Sequence, residues 1–277
     1  MGIALALASA VVYGLVDFAG GILSRRVHYA FVAWVGQVGG LVCAFAVALI
    51  VPATQVEATD LAWGALSGIG SAVTMLFLNR GLSRGAMSTV LPISAVTGVA
   101  LSVLAGVVFL GEQPSVLAWA GFIVVLPALW LVSRGRRTDG AQPDAVRDGL
   151  IASAGVAVQY VGLGMAGPES GLWAVAAGRV AAVIVLSPSA FRIRHIQRFR
   201  WADAGKALTI GAGAAIGLTL YLLATREELL AVAVTLASLY PAIPVLLGVF
   251  VLHERCTRRQ IVGLVGAALA VVLLSSA

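Results

Sequence analysis

The sequence predicts an all-α polytopic membrane protein of ten transmembrane helices, arranged as two inverted five-helix repeats. Three observations carry that prediction. Hydrophobic residues make up 60% of the 277 residues and charged residues only 11%, more apolar surface than a soluble domain of this length can bury. The chain also resembles itself. Residues 83–133 slide onto residues 225–275 without a gap, a shift of 142 that pairs Gly106, Leu110 and Glu112 with Gly248, Leu252 and Glu254, and Gly36-Gln37-Val38 with Gly178-Arg179-Val180. Finally, the basic residues fall on alternate loops.

Ten apolar runs follow in order, most of them near the ~20 residues a helix needs to cross the hydrocarbon core. The first, 2–23, lacks a basic segment before it and is followed by Arg25 and Arg26. It therefore reads as a first span and not as a cleaved signal peptide. It carries Tyr13 and Asp17. The second, 30–52, carries Gln37 and Cys43. The third, 61–79, ends at Asn79 beside Arg80 and reads as interfacial there. The fourth, 86–110, contains Pro92 just after Ser88 and Thr89, and the fifth is 116–133. A polar stretch over 134–148 then divides the chain into halves, 1–138 and 139–277. Span six, 149–166, carries the neighbours Gln159 and Tyr160, which cannot share one helix face. Span seven, 171–189, carries Arg179. Span eight, 205–224, carries Tyr221. Span nine, 229–252, contains Tyr240, Pro241 and Pro244, and span ten is 260–276.

Five spans per repeat is an odd number, so the second repeat must run upside down relative to the first. Loop charge tests this independently. Loops 1–2, 3–4, 5–6, 7–8 and 9–10, with their borders, hold sixteen of the eighteen basic residues; the opposite face holds Arg226, and Arg179 lies within a span. Basic loops stay cytoplasmic, which places both termini outside. The net charge of +6 is explained by orientation and anionic lipid and needs no nucleic acid.

Here the chain resembles the drug/metabolite transporter superfamily, specifically the EamA-type ten-helix proteins. The resemblance rests on the duplicated five-span unit and on Tyr13-Gly14 in span one. It rests also on Leu91-Pro92 through Leu110-Gly111-Glu112 in span four, with Leu239-Tyr240-Pro241 through Leu252-His253-Glu254 as its counterpart in span nine. It implies movement of small metabolites or drugs through a central cavity lined by spans one, three, four, six, eight and nine. It also implies cytoplasmic termini, where the loop charges argue the reverse.

Asp17 and Arg179 are the unusual residues. A carboxylate at the centre of a span costs at least ~2.5 kcal/mol, so Asp17 is a candidate proton site. Its structural alternative is an interfacial pair with Arg25 or Arg26. Arg179 lies mid-span and must face the bundle interior. It suits a substrate carboxylate or phosphate, a pairing with Asp17, or a clamp on freed backbone carbonyls. Its repeat mate is the neutral Gln37. Tyr13, Gln37, Gln159, Tyr160, Tyr221 and Tyr240 are candidate pathway residues, with simple packing as their alternative. Pro92, Pro241 and Pro244 are candidate helix breaks, since proline frees a backbone carbonyl that must find a partner in the membrane. Glu112 and Glu254 read as caps on the next span in each repeat.

No Walker A loop, metal-ligand cluster or nucleophile–His–acid set is present. Cys43 and Cys256 have no disulfide spacing. The sequence therefore predicts no enzyme and no cofactor. It predicts a secondary transporter of the inner or plasma membrane, monomer or homodimer. Its partners are a small-molecule substrate, the lipid bilayer and protons, with Asp17 the one proton site that can be named. The rival reading is a non-transporting subunit or sensor that keeps the same fold.

Overall fold

The computed structural model describes residues 1–83, 87–133, 143–193, 200–243, 246–247 and 257–276. Among these the α-helices are α1 (Gly2–Ser24), α2 (Tyr29–Ile50), α3 (Ala58–Ser83), α4 (Met87–Phe109), α5 (Val116–Ser133), α6 (Pro143–Gly164), α7 (Trp173–Ile193), α8 (Trp201–Thr225), α9 (Leu230–Ala237) and α10 (Arg258–Ser275), with one 3₁₀ turn at Pro168–Ser170. Helices α1, α2, α3, α7, α8 and α10 are long and apolar enough to cross a bilayer. Shorter apolar helical stretches cover Ser94–Val108 and Val116–Leu131. The protein is a multi-pass membrane protein.

Several ends differ from the sequence expectation for local reasons. Helix α6 begins at Pro143 with Asp144 in its first turn, not at 149. Proline pre-sets the first helical position, and an acid there complements the helix dipole. Arg147 and Asp148 thus belong to a helix and not to the connecting stretch. Span nine is interrupted: α9 ends at Ala237, and tight turns follow, with the Leu239 amide donating to Leu236 O and the Ala242 amide to Leu239 O. Pro241 sits in these turns and has no N–H to continue the helix. Helical backbone resumes at 242–243. Pro244 and Glu254 lie outside the described residues. Pro92, expected to break span four, does not: α4 runs through it from Met87 to Phe109. It falls in the second turn, where proline removes a single intrahelical bond close to the helix start.

The caps correct another expectation. Ser115 caps α5, its Oγ accepting from the Ala118 amide at 3.1 Å. Its mate under the 142 shift, Thr257, caps α10 in a reciprocal box with Gln260. With α5 already capped, Glu112 goes elsewhere. Gly111 adopts a left-handed φ of 67°, which only glycine takes at little cost. The chain turns there, and the Glu112 carboxylate crosses to the second repeat. It accepts from the amides of Leu230 (2.5 Å) and Ala231 (3.0 Å) at the start of α9.

The packing maps onto itself when the halves are exchanged. Helix α3 packs on α6 and α7, as α8 packs on α1 and α2; α4 packs on α6 as the α9 region packs on α1; α2 meets α7, α4 meets α9 and α5 meets α10. Two glycine contacts fix the closest approaches. A Cβ on Gly68 of α3 would lie 1.8 Å from the carbonyl oxygen of Gly178 on α7, and one on Gly211 of α8 would lie 1.6 Å from that of Gly36 on α2. Gly36 and Gly178 are repeat mates. Gly68 and Gly211 correspond under a shift of 143, which also pairs Gly70 with Gly213 and Ala72 with Ala215. Small residues at such crossings let backbones touch, which is how helices associate in lipid.

The loop contacts sort into two faces. On the acidic face, the Met1 amine meets Glu227 at 3.3 Å, Asp60 accepts from the Gly167 amide at 2.8 Å, and the Thr54 and Gln55 amides donate to Glu169 O. On the basic face, the Arg80 guanidinium holds the fully buried Asp148 carboxylate and also lies 4.5 Å over the Phe77 ring. Apart from the Arg80–Phe77 stacking within α3, these contacts join first-repeat to second-repeat residues, and each joins residues that loop parity places on one side.

Candidate functional site

A cavity of about 480 Å³, counted with its open mouth, lies between the repeats. Its wall comes from α1 (Tyr13, Val16, Asp17, Gly20), α3 (Ser71, Thr74, Met75, Leu78, Asn79), α6 (Gln159), α7 (Arg179) and α8 (Ile210, Ala214). Among the described residues α4 and α9 contribute none, whereas the resemblance implied both. They pack on one another and on other helices instead. Gly20, Leu78, Asn79 and Ile210 lie in the halves of their helices that lead to the basic loops, so the cavity extends from mid-depth toward that face.

Arg179 is 2% exposed. One terminal nitrogen donates to Gln37 Oε1 at 2.7 Å and reaches Ser71 Oγ at 3.4 Å; the other donates to the Ala214 carbonyl at 3.1 Å. Gln37 is fully buried behind it and donates to Ser71 Oγ at 3.1 Å. Gln37 and Arg179 are repeat mates, and Ser71 and Ala214 are mates under the 143 shift. The cluster therefore sits where the two halves relate to one another, with a cation on one side and a neutral amide on the other. Gly40 makes room for it: a Cβ there would lie 3.2 Å from Arg179 Cδ.

Asp17 lines the same cavity and is half-buried. The expected alternatives for it do not hold. Among the described residues it makes no ion pair with Arg25, Arg26 or Arg179. It faces the cavity, one helical turn beyond Tyr13. The Tyr13 hydroxyl accepts from Gln159 Nε2 at 3.1 Å and is close enough to Arg179 to interact with its charge.

The adjacent pair separates as helix geometry requires. Gln159 reaches the cavity, while Tyr160 turns to the core, its ring centroid 4.4 Å from that of Tyr221. The Tyr221 hydroxyl donates to Tyr160 O at 3.1 Å. Tyr160, Tyr221 and Tyr240 are buried core residues and lie off this cavity wall. Asn79, read as interfacial, is a buried wall residue, and its amide nitrogen has no acceptor among the described residues. Its place near the end of a span, next to Arg80, hid this. Ser71 and Thr74 were missed because lone hydroxyls in apolar spans are common and usually bond back to their own helix. Thr74 instead donates across to Ala152 O at 3.2 Å.

A helical bundle made of two related halves, with a polar cavity between them, is the architecture of a membrane transporter. The sequence matches the EamA-like transporter family over residues 1–134 and 149–276, and the chain belongs to that family, within the drug/metabolite transporter superfamily. This is a family of transporters and not of enzymes. No curated protein matches in sequence. One solved structure is similar over 95% of this chain and 98% of its own, with a TM-score of 0.70 and 14% identity, a likeness of fold.

Proposed function

We propose that the protein is a gradient-driven secondary transporter in which halves 1–138 and 139–277 rock against one another and expose the cavity to each face in turn. The observation that carries this reading is one cavity that holds Arg179, Asp17, Gln159 and Asn79 in an otherwise apolar bundle, at the place where the repeats meet. Buried polar groups at a repeat interface near mid-membrane are where such proteins bind substrate. The cross-repeat contacts of the acidic face would seal that side while the cavity reaches toward the basic face. Asp17 is the proton carrier: among the described residues its carboxyl makes no ion pair, so it can gain and lose a proton as access alternates. The Arg80–Asp148 pair, tied by several hydrogen bonds, has a structural role. The test uses proteoliposomes and a substrate found by thermal-shift screening of metabolites and drugs. Asp17→Asn is expected to abolish gradient-driven accumulation and to keep downhill exchange. Full accumulation by Asp17→Asn would remove the proton role. Lack of any transported compound would favour the rival reading of a non-transporting subunit.

The basic face is proposed to be cytoplasmic, with the termini outside, on the sixteen-to-one division of loop charges. Reporter fusions at Ala277 are expected to report the external side, and fusions at Gly140 the cytoplasm. The opposite pair of signals would reverse the orientation.

A further inference from the structure

We infer that the cavity takes a small organic anion, and that this anion and a proton on Asp17 bind together. The inference rests on the transport reading for treating the cavity as the substrate site.

The starting point is the environment of Arg179. A guanidinium offers five N–H donors. Three contacts are made here, to Gln37 Oε1, Ser71 Oγ and Ala214 O, and all three partners are neutral. Nε is buried without an acceptor among the described residues, and the Tyr13 hydroxyl, also neutral, lies beside the group. No carboxylate among those residues pairs with the group. A permanent charge removed from water without a counter-ion is among the most costly arrangements in a membrane protein.

Holding α2, α3 and α8 together does not require that charge. The repeat mate, Gln37, does comparable work as a neutral amide, bonding Ser71. The positive charge is surplus to the helix contacts, and Arg179 lines the cavity, from which a counter-ion can reach it. Asn79, on the same wall, adds a buried amide nitrogen without an acceptor. Arg179 Nε and the Asn79 amide nitrogen each lack an acceptor among the described residues, so the missing partner is an anion with oxygen atoms, a carboxylate or a phosphate ester. Val16, Met75, Leu78 and Ile210 add apolar surface to the same wall, which suits an anion with an apolar body.

Asp17 sets the coupling. The titratable or charged groups around it are Tyr13 on its own helix, Tyr160 on α6, Tyr240 after α9, and Arg179 across the cavity. On this cavity wall helices α3 and α8 present no titratable side chain. An ionised Asp17 would repel an incoming anion in a poorly solvated space. A protonated Asp17 leaves Arg179 as the single charge. Proton and anion therefore raise each other's affinity, and the effect is reciprocal.

The experiment uses the purified full chain in detergent with three probes, benzoate, phenyl phosphate and benzamide, read by thermal shift and calorimetry. One or both anions are expected to stabilise the wild type, and the isosteric neutral amide is not. Anion affinity is expected to rise as pH falls, by up to about tenfold per pH unit, the ceiling for one linked proton. Arg179→Gln should lower anion affinity more than tenfold. Asp17→Asn should keep the high affinity and flatten the pH profile. Equal stabilisation by benzamide, no stabilisation by either anion, or an unchanged affinity in Arg179→Gln would each overturn the anion site. A steep pH profile surviving in Asp17→Asn would overturn the coupling. The wild-type comparison of acid and amide stands even where a variant does not fold. Anion binding without counterflow in vesicles would leave the site intact and remove the transport reading. Counterflow of a neutral or cationic compound without anion binding would do the reverse.

Discussion

Gly211→Ala is expected to unseat α8 from α2 and to cost more than the ~1–3 kcal/mol of ordinary overpacking. A Cβ at Gly211 would lie 1.6 Å from the Gly36 carbonyl oxygen, 2.4 Å from its carbonyl carbon and 2.7 Å from its Cα. All three are backbone atoms of a helix, so no side chain can swing aside to relieve the clash. The two helices must separate along their whole contact, and Arg179, which joins α7 to Ala214 three residues further along α8, must lose or stretch a bond. Lower yield of monodisperse protein and a thermal midpoint reduced by many degrees are the expected readings. Gly205→Ala in the same helix is the control. Nothing lies within 4 Å of its Cβ position, and alanine is a better helix former than glycine by about 0.5–1 kcal/mol, so that variant is expected to match or exceed wild-type stability. A Gly211→Ala protein that melts with the wild type would show that the helices do not touch as described.

Glu112→Ala is expected to destabilise by about 2–5 kcal/mol, the combined loss of two hydrogen bonds to a charged acceptor and the stranding of two buried donors. The amides of Leu230 and Ala231 open an eight-residue helix in which every residue is buried, so water cannot easily replace the carboxylate. The cap also spans the two repeats. Its removal loosens the acidic face as well as the helix. Glu112→Gln keeps a single acceptor oxygen and should fall between alanine and wild type. Thermal unfolding of the three proteins orders them, and cysteine labelling at Leu230 reports whether that face opens. Equal stability of Glu112→Ala and wild type would sink the cap; glutamine as damaging as alanine would show that charge alone matters there.

How much of this was legible in the sequence depended on the kind of signal. Spans were legible because apolar runs bounded by charge are long and redundant. Asp17 and Arg179 were legible because a charge inside such a run has no cheap explanation. The start of α6 was not, since Arg147 and Asp148 look like loop residues until Arg80 is seen to neutralise Asp148 from a helix 68 positions earlier. Glu112 was recognised as a cap, but its target was missed. Nothing in the local pattern says that Ser115 already serves α5 or that Gly111 turns the carboxylate toward the other half. The place of Asn79 on the cavity wall was not legible, because a position beside Arg80 at the end of a span says nothing about which way the side chain is buried. Tyr160, Tyr221 and Tyr240 were weighed as pathway residues on chemistry that packing uses equally well.

The contact between Gln37 and Arg179 has a consequence for what kind of molecule can carry this site. The two positions are equivalent in the two halves and still touch, so the line that relates the halves passes between them. In an assembly of two identical polypeptides, each the length of one half, a residue at that place would face its own duplicate. Two arginines would set like charges against each other in a desolvated space, and two glutamines would leave no charge at all. A solitary cation on that line is possible only when the halves are free to differ, which requires both to be encoded separately or joined in tandem. Covalent joining of the halves thus does more here than shorten a loop. It permits a chemical distinction at the one location where strict symmetry forbids it.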